Sequence, residues 1–476
     1  MSYKTSYLKV NNKMTIIRSE KRSFDINISV AIIGGGACGM TAALSLKENG
    51  AECIIFEQDK VPFGSTGMSY GAICAAGSQI QKSAGIEDCA DDLYEDILTI
   101  TNSKTDSNLA RLIADLSGPT VDWLHQYHDI NLTTEKIWTG LGHRQPRLHA
   151  PPNRSGETLM SMLNSACSRS NIDILTQARV VNLFADETGY VHGLRVERSD
   201  GAIEEIGTQA VILATSGFGA NAEWVGENMP EIATATYYGH EGNRGDGIGW
   251  GIELGGETAD MSSYQALGSL AVPQMLVIPH TLLISGGLQV NNNGERFQNE
   301  LFDISGQSLN ILKQPEAICW IVYDEKAHKD ALRFEEYLSA VNLGVPKQSE
   351  TTFALAEQMK IPFENFTKTI QASLNYVAGK GSDPFGRDFT VGRGLEAPFY
   401  AIRVTGALFH TQGGLCIDHN AAVVRPDKSP LPNLFAGGGA ARSVSGPSCQ
   451  AYLPGMGLCT AVSLGRLAGK SAALHV

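Results

Sequence analysis

Residues 28–33 read Ile-Ser-Val-Ala-Ile-Ile, apolar at every place but one and rich in β-branched side chains, which predicts a short buried strand. Gly34-Gly-Gly-Ala-Cys-Gly39 follows at once. Met40, Ala43 and Leu44 then share one face at helical spacing until Gly50 ends the segment. Residues 52–57 (Glu-Cys-Ile-Ile-Phe-Glu) predict a second strand, so the ordered chain opens on a strand-helix-strand unit of about 30 residues. Residues 91–128 carry Leu109, Leu112 and Leu116 on one helical face, with a break expected at Gly118-Pro119 because proline removes a backbone donor there. Strands are expected at 172–183, 191–198 and 211–214, the first two separated by a turn at Gly189.

The texture changes beyond Gly255, where helical and irregular segments surround an isolated strand near 288–290 and a polar helical stretch at 348–378 is interrupted by Pro362. Strand and turn return at 401–404, 416–417 and 434–436, and a helix is expected over 458–473. A stretch of different texture between two glycine-rich regions predicts an insertion. The expected organisation is a polar extension over 1–27 that adds little to the fold, one domain built from 28–262 and 392–476, and a second over 263–391 inserted into it.

Composition narrows the function. Of the 476 residues, 43% are hydrophobic and 18% charged, which excludes extensive disorder. A net charge of −13 without a basic patch opposes nucleic-acid binding. The 51 glycines cluster without a fixed period, as they do where backbone approaches a ligand. Nine cysteines stand singly with no C-x-x-C pair, which reads as reduced thiols and neither a disulfide framework nor a metal site. No apolar run is long enough to span a membrane, and residues 1–29 interleave charges where a secretory signal needs an apolar core, so a cytoplasmic protein is expected.

Gly34-x-Gly36-x-x-Gly39 lies between strand and helix, where glycines permit a tight turn, approach of a pyrophosphate to backbone, and close helix packing. Glu57 ends the second strand, where a carboxylate can hold a ribose hydroxyl, so the pattern reads as one dinucleotide site.

Further landmarks follow in order: Gly64-Ser-Thr-Gly67 with Ser69 and Gly71; Ala214-Thr-Ser-Gly-Phe218; Gly245-Asp-Gly247; Gly294-Glu-Arg-Phe-Gln-Asn-Glu300; Thr411-Gln-Gly-Gly414; and Leu434-Phe-Ala-Gly-Gly438. With them the chain resembles the fumarate reductase, succinate dehydrogenase and 3-ketosteroid dehydrogenase flavoprotein superfamily from about residue 28 onward. The resemblance implies an α/β fold, with a discontinuous Rossmann-like FAD-binding domain and an inserted α+β capping domain. It implies FAD, held by Gly34, Gly36, Ala37, Cys38, Gly39, Glu57, Gln58, Gly64, Ser65, Thr66, Gly67, Met68, Ser69, Gly71, Val180, Ala214, Thr215, Gly217, Gly245, Asp246, Gly437, Gly438, Gly457 and Leu458. Members with covalent flavin carry a histidine in the segment matching 64–69; this chain has none, so noncovalent binding is expected.

The resemblance departs at the substrate end. Fumarate-reducing members grip two carboxylates with His and Arg and deliver a proton from an Arg; here Leu267 and Ile304 occupy two of those places. Ala451-Tyr452-Leu-Pro-Gly455 instead resembles the ketosteroid dehydrogenases, where a Tyr hydroxyl and a Gly amide both donate to a ketone oxygen. Tyr452, Gly455 and His410 are therefore the expected substrate contacts. No α-proton acceptor aligns securely; among Tyr264, Asp303, Tyr70 and His149 the first two are preferred. The leading expectation is a dehydrogenase that desaturates a cyclic or steroid-like ketone and passes electrons to an external acceptor. The alternatives are an ene-reductase of an unsaturated acid or enone, and a flavin-bearing module without catalysis.

Overall fold

The computed structural model describes residues 15–20, 22–136, 139–390 and 392–476. The predicted first strand spans Ile26–Ile33 and lies inside a nine-stranded sheet. Residues 30–33 are buried where the strand is flanked by Cys53–Phe56 on one side and Ile203–Leu213 on the other, both parallel to it, while Ile26 at its start is exposed. Asp173–Leu175 extends the sheet beyond Cys53–Phe56, and Pro430–Ala436 pairs with the end of Ile203–Leu213. The crossover helix Ala37–Glu48 packs against the helix Met456–Ala472. Gly465 and Gly469 allow that approach: a Cβ would stand 2.4 Å from the Cys38 carbonyl oxygen at the first and 2.2 Å from that of Ala42 at the second.

The second sheet, called the cap below, has seven strands. Phe399–Thr411 is its central strand, paired with Tyr264–Ala271 and Ile318–Asp324, and Leu288–Asn291 joins through Ile318–Asp324. The strand near 288–290 is thus not isolated. The sheet also runs past the boundary expected at 391, because its middle strand lies in the segment assigned to the other domain.

Four local expectations change for physical reasons. Thr15–Arg18 adds a parallel strand against Asn182–Ala185, so part of the expected N-terminal extension belongs to the sheet; residues 1–14 lie outside the described residues. The 91–128 stretch divides at Thr101–Asp106 into Ala90–Ile100 and Ser107–Tyr127, and Asp106 caps the second by accepting from the Asn108 and Leu109 amides. Ser107–Tyr127 runs straight through Pro119; Gly118 there marks contact, since a Cβ would meet the Ala76 carbonyl oxygen at 2.2 Å. The expected strand at 172–183 is two strands, Asp173–Leu175 and Ala178–Ala185, separated at Gln177, whose φ of 52° breaks the extended chain.

Candidate active site

Ile33, Phe56 and Ala214, at the carboxyl ends of three parallel strands, line a single continuous cavity that passes from the first sheet to the underside of the cap. The glycine loop shapes its first part. Gly34, with φ of 108°, donates to the Phe56 carbonyl at 2.9 Å, and a Cβ on Gly39 would come 2.0 Å from the Gly34 carbonyl oxygen. A Cβ on Gly36 would meet only Thr66 Oγ1, at 3.7 Å, so the space above Gly36 is open cavity. Glu57 accepts from the Gly35 amide at 2.8 Å and the Asp59 amide at 2.9 Å, and burial raises its carboxyl pKa despite those donors.

The residues implied by resemblance divide into two groups. Gly34, Gly36, Ala37, Cys38, Glu57, Gln58, Gly64, Ser65, Thr66, Met68, Ser69, Val180, Ala214, Thr215, Asp246, Gly438, Gly457 and Leu458 line the cavity. Gly39, Gly67, Gly71, Gly217, Gly245 and Gly437 stand behind that lining. They serve backbone packing: a Cβ on Gly217 would strike Thr411 Oγ1 at 2.0 Å, and one on Gly437 would reach Cys38 Sγ at 2.7 Å. Thr215 Oγ1, Asp246 Oδ1 and Trp250 Nε1 are buried at the cavity wall without a hydrogen-bond partner, and the Gly457-Leu458 end of the last helix adds its positive dipole end. A glycine-floored cradle with unpaired polar atoms fits a dinucleotide.

The model of the FAD binding domain family matches residues 29–451. The chain belongs to this family. Its cofactor is FAD, and the flavoprotein is an oxidoreductase acting on CH–CH groups. It is similar to a probable fumarate reductase of Shewanella frigidimarina, 29% identical over 450 residues that cover 94% of this chain and 75% of that protein. It is 25% identical to the vinyl phenol reductase of Lactiplantibacillus plantarum over 97% of this chain and 98% of that one. The open form of a flavocytochrome c3 fumarate reductase superposes with a TM-score of 0.80 at 28% identity, covering 95% and 79% of the two chains. A 3-ketosteroid-Δ4-(5α)-dehydrogenase of Rhodococcus jostii shares the fold, with a TM-score of 0.74 at 21% identity, covering 96% and 100%.

One end of the flavoprotein's cavity, the chamber, is lined by Tyr70, Tyr238, Leu267, Val277, Ile284, Ile304, Phe334 and Phe409. Tyr452 and His410 meet edge to face across it, with ring centroids 5.5 Å apart. Burial pushes the Tyr452 hydroxyl up to about 12, against the pull of the Gly457 and Gly455 amides beside its oxygen, so it is a neutral donor at pH 7. Gly455 itself, with φ of 78°, caps the last helix, and its carbonyl accepts from the Cys74 amide at 3.1 Å. Among the described lining residues Arg179 is the one Arg or Lys, and it lies beside Asp246 at 3.7 Å. Among the described residues no group of three or more His, Cys, Asp or Glu could hold a metal ion, and no helix is long and apolar enough to cross a membrane.

The two preferred proton acceptors stand outside this chamber. Strand alternation turns Gln265 and Leu267 toward the cavity, so Tyr264 and Ala266 point the other way, into a cluster with Phe218, Val225 and Met229. Asp303 caps the helix Gly306–Leu312 by accepting from the Ser305 amide at 3.1 Å and from the Gly306 amide, while its neighbour Ile304 faces the chamber. His149 is fully buried between Ser78 Oγ at 2.7 Å and the Arg147 carbonyl at 2.9 Å, away from the cavity. Tyr70 does line it, with its hydroxyl unpartnered. The sequence reading missed Tyr238, Gln265, His280 and Gln412, all lining residues. Gln265 had a signal: it is the cross-strand partner of His410, but that pairing joins segments far apart in the chain.

Proposed function

We propose that this flavoprotein reduces a carbon–carbon double bond conjugated to an uncharged carbonyl, on a substrate with an apolar body. The carrying observation is the chamber wall: Tyr452 and His410 share it with the polar side chains of Tyr70, Tyr238, Gln265, His280 and Gln412 and with apolar ones that include Leu267 and Ile304, no Arg or Lys lines it beside Tyr452 and His410, and Arg154 stands behind it, 5.0 Å over the Phe334 ring. Burying a carboxylate there without a cation costs several kcal/mol, and a dicarboxylate needs that twice. A carbonyl oxygen asks only for donors. The Tyr452 hydroxyl donates to it, and negative charge that develops on the oxygen during reaction is met by that donor and by the N-terminal end of the Met456–Ala472 helix. FAD, when bound and reduced by an external electron donor, would supply the hydride and return to its oxidised form. Tyr70, whose phenol burial keeps protonated, lines the chamber and supplies the proton to the adjacent carbon. The names of the similar proteins, reductases of fumarate and of vinyl phenol, favour reduction over the desaturation of a cyclic ketone, which would run through the same donors in reverse.

The test is anaerobic. Protein reduced with dithionite is mixed with cyclohexenone, a steroid enone or fumarate, and return of the oxidised flavin band is followed. Either enone should restore the band faster than fumarate. Faster reoxidation by fumarate would overturn the reading, and bleaching of the oxidised protein by cyclohexanone faster than any enone restores it would reverse the direction.

A further inference from the structure

His410 is the last residue but one of the central strand of the cap, and Gln412, just past its end, lines the same cavity. A Cβ on Gly457 would lie 3.3 Å from His410 Nε2 and 3.6 Å from the Tyr452 hydroxyl oxygen, so both polar atoms converge above the first turn of the last helix. On the other edge of the imidazole, Gln412 Nε2 lies 2.8 Å from Nδ1, and Ser445 Oγ lies 3.0 Å from Gln412 Oε1. Gln412 and Ser445 are 4% and 3% exposed, so these buried polar groups satisfy each other and the ring.

We propose that Gln412 is a positioning residue that holds His410 as the neutral imidazole protonated on Nε2, which makes this N–H the second donor, with the Tyr452 hydroxyl, to the substrate carbonyl oxygen. An amide nitrogen carries only hydrogens, so Nδ1 opposite it must present its lone pair. The proton of a neutral ring then sits on Nε2, the edge that faces Tyr452. Ser445 Oγ donates to the amide oxygen in the orientation that turns Nε2 toward the ring. The Thr411 carbonyl, at 3.4 Å from Nδ1, is too distant to compete with a 2.8 Å partner. Burial supports the same state, since it lowers the ring to about 4 and keeps it uncharged at pH 7. With the amide turned over, Nδ1 would carry the proton and Nε2 would turn a lone pair toward the carbonyl oxygen, which repels it. The donor role rests on the proposed function; the tautomer does not.

The test reads the tautomer without turnover. FAD-loaded protein labelled with nitrogen-15 histidine is observed by NMR at pH 7, with the His410 signals assigned by their loss in His410→Asn. Wild type should show Nε2 protonated and Nδ1 bare. Gln412→Glu, whose carboxylate only accepts, should move a proton onto Nδ1. Gln412→Leu should keep FAD and slow flavin reoxidation by cyclohexenone about tenfold, with Tyr452 intact. A protonated Nδ1 in wild type, a bare Nδ1 in Gln412→Glu, or an unchanged rate in Gln412→Leu would overturn the proposal. If the spectra come out as expected and neither enone reoxidises wild-type flavin, the carbonyl acceptor falls together with the proposed function and the tautomer stands alone.

Discussion

Replacing Tyr452 by Phe removes one hydroxyl and keeps the ring that packs edge to face on His410 at 5.5 Å. The hydroxyl is a neutral donor across the physiological range, because burial pushes it up to about 12, and the Gly455 and Gly457 amides at its oxygen polarise it further. Losing one donor to a developing oxyanion typically slows the chemical step by about 10²- to 10³-fold, or about 3–4 kcal/mol of barrier. The same change leaves two amides without that acceptor, a loss of about 1 kcal/mol in stability that a folded chain of this size tolerates. FAD content should therefore match wild type, since Tyr452 stands at the chamber and the glycine loop is untouched. Anaerobic stopped-flow reoxidation of the reduced protein by cyclohexenone reads the effect. Between pH 6 and 9 the ratio of variant to wild-type rate should stay constant, as Tyr452 does not ionise there. A wild-type rate in the variant would refute the donor role, and loss of FAD would show that Tyr452 is structural.

Other expectations follow from the same geometry. Gly36→Val should abolish FAD binding and leave a folded apoprotein, because its side chain enters open cavity, whereas Gly39→Val should unfold the chain, because a Cβ there lies 2.0 Å from the Gly34 carbonyl oxygen; flavin absorbance and circular dichroism separate the two. Acid precipitation should release FAD into the supernatant, since no histidine stands in the 64–69 segment, and yellow colour left in the pellet would contradict noncovalent binding. Four histidines, His143, His149, His280 and His410, are each lowered by burial to about 4. The unfolded chain takes up their protons near pH 6.5 and the folded one near 4, so their stabilisation is complete above about pH 6.5 and is lost as pH falls toward 4, by at most about 3 kcal/mol for each. Calorimetry should show Tm dropping steeply over that window, and a flat Tm between pH 6.5 and 5 would refute it.

The cofactor and its cradle were legible because their information is local. Gly34, Gly36 and Gly39 with Glu57 lie in one strand-helix-strand unit, where spacing alone specifies a turn, an open floor and a carboxylate. Even the departures at Leu267 and Ile304 could be read from motif neighbours, and both residues line the chamber.

What the one-dimensional pattern left open depends on contacts between distant segments. Tyr264 and Gln265 are adjacent and both polar, and only the pairing of their strand with Phe399–Thr411 decides that Gln265 shares the cavity with His410 while Tyr264 is packed behind it. Asp303 and Ile304 divide in the same way, one turned into a helix cap and the other into the chamber. The cap sheet crosses the boundary expected near 391 because its middle strand is contributed by the segment after it. The sequence by itself determined that this chain holds a dinucleotide on its glycine loop. Which of two neighbouring side chains on a strand lines the chamber was decided by tertiary structure, because a period-two strand offers two faces and the partner strand chooses between them.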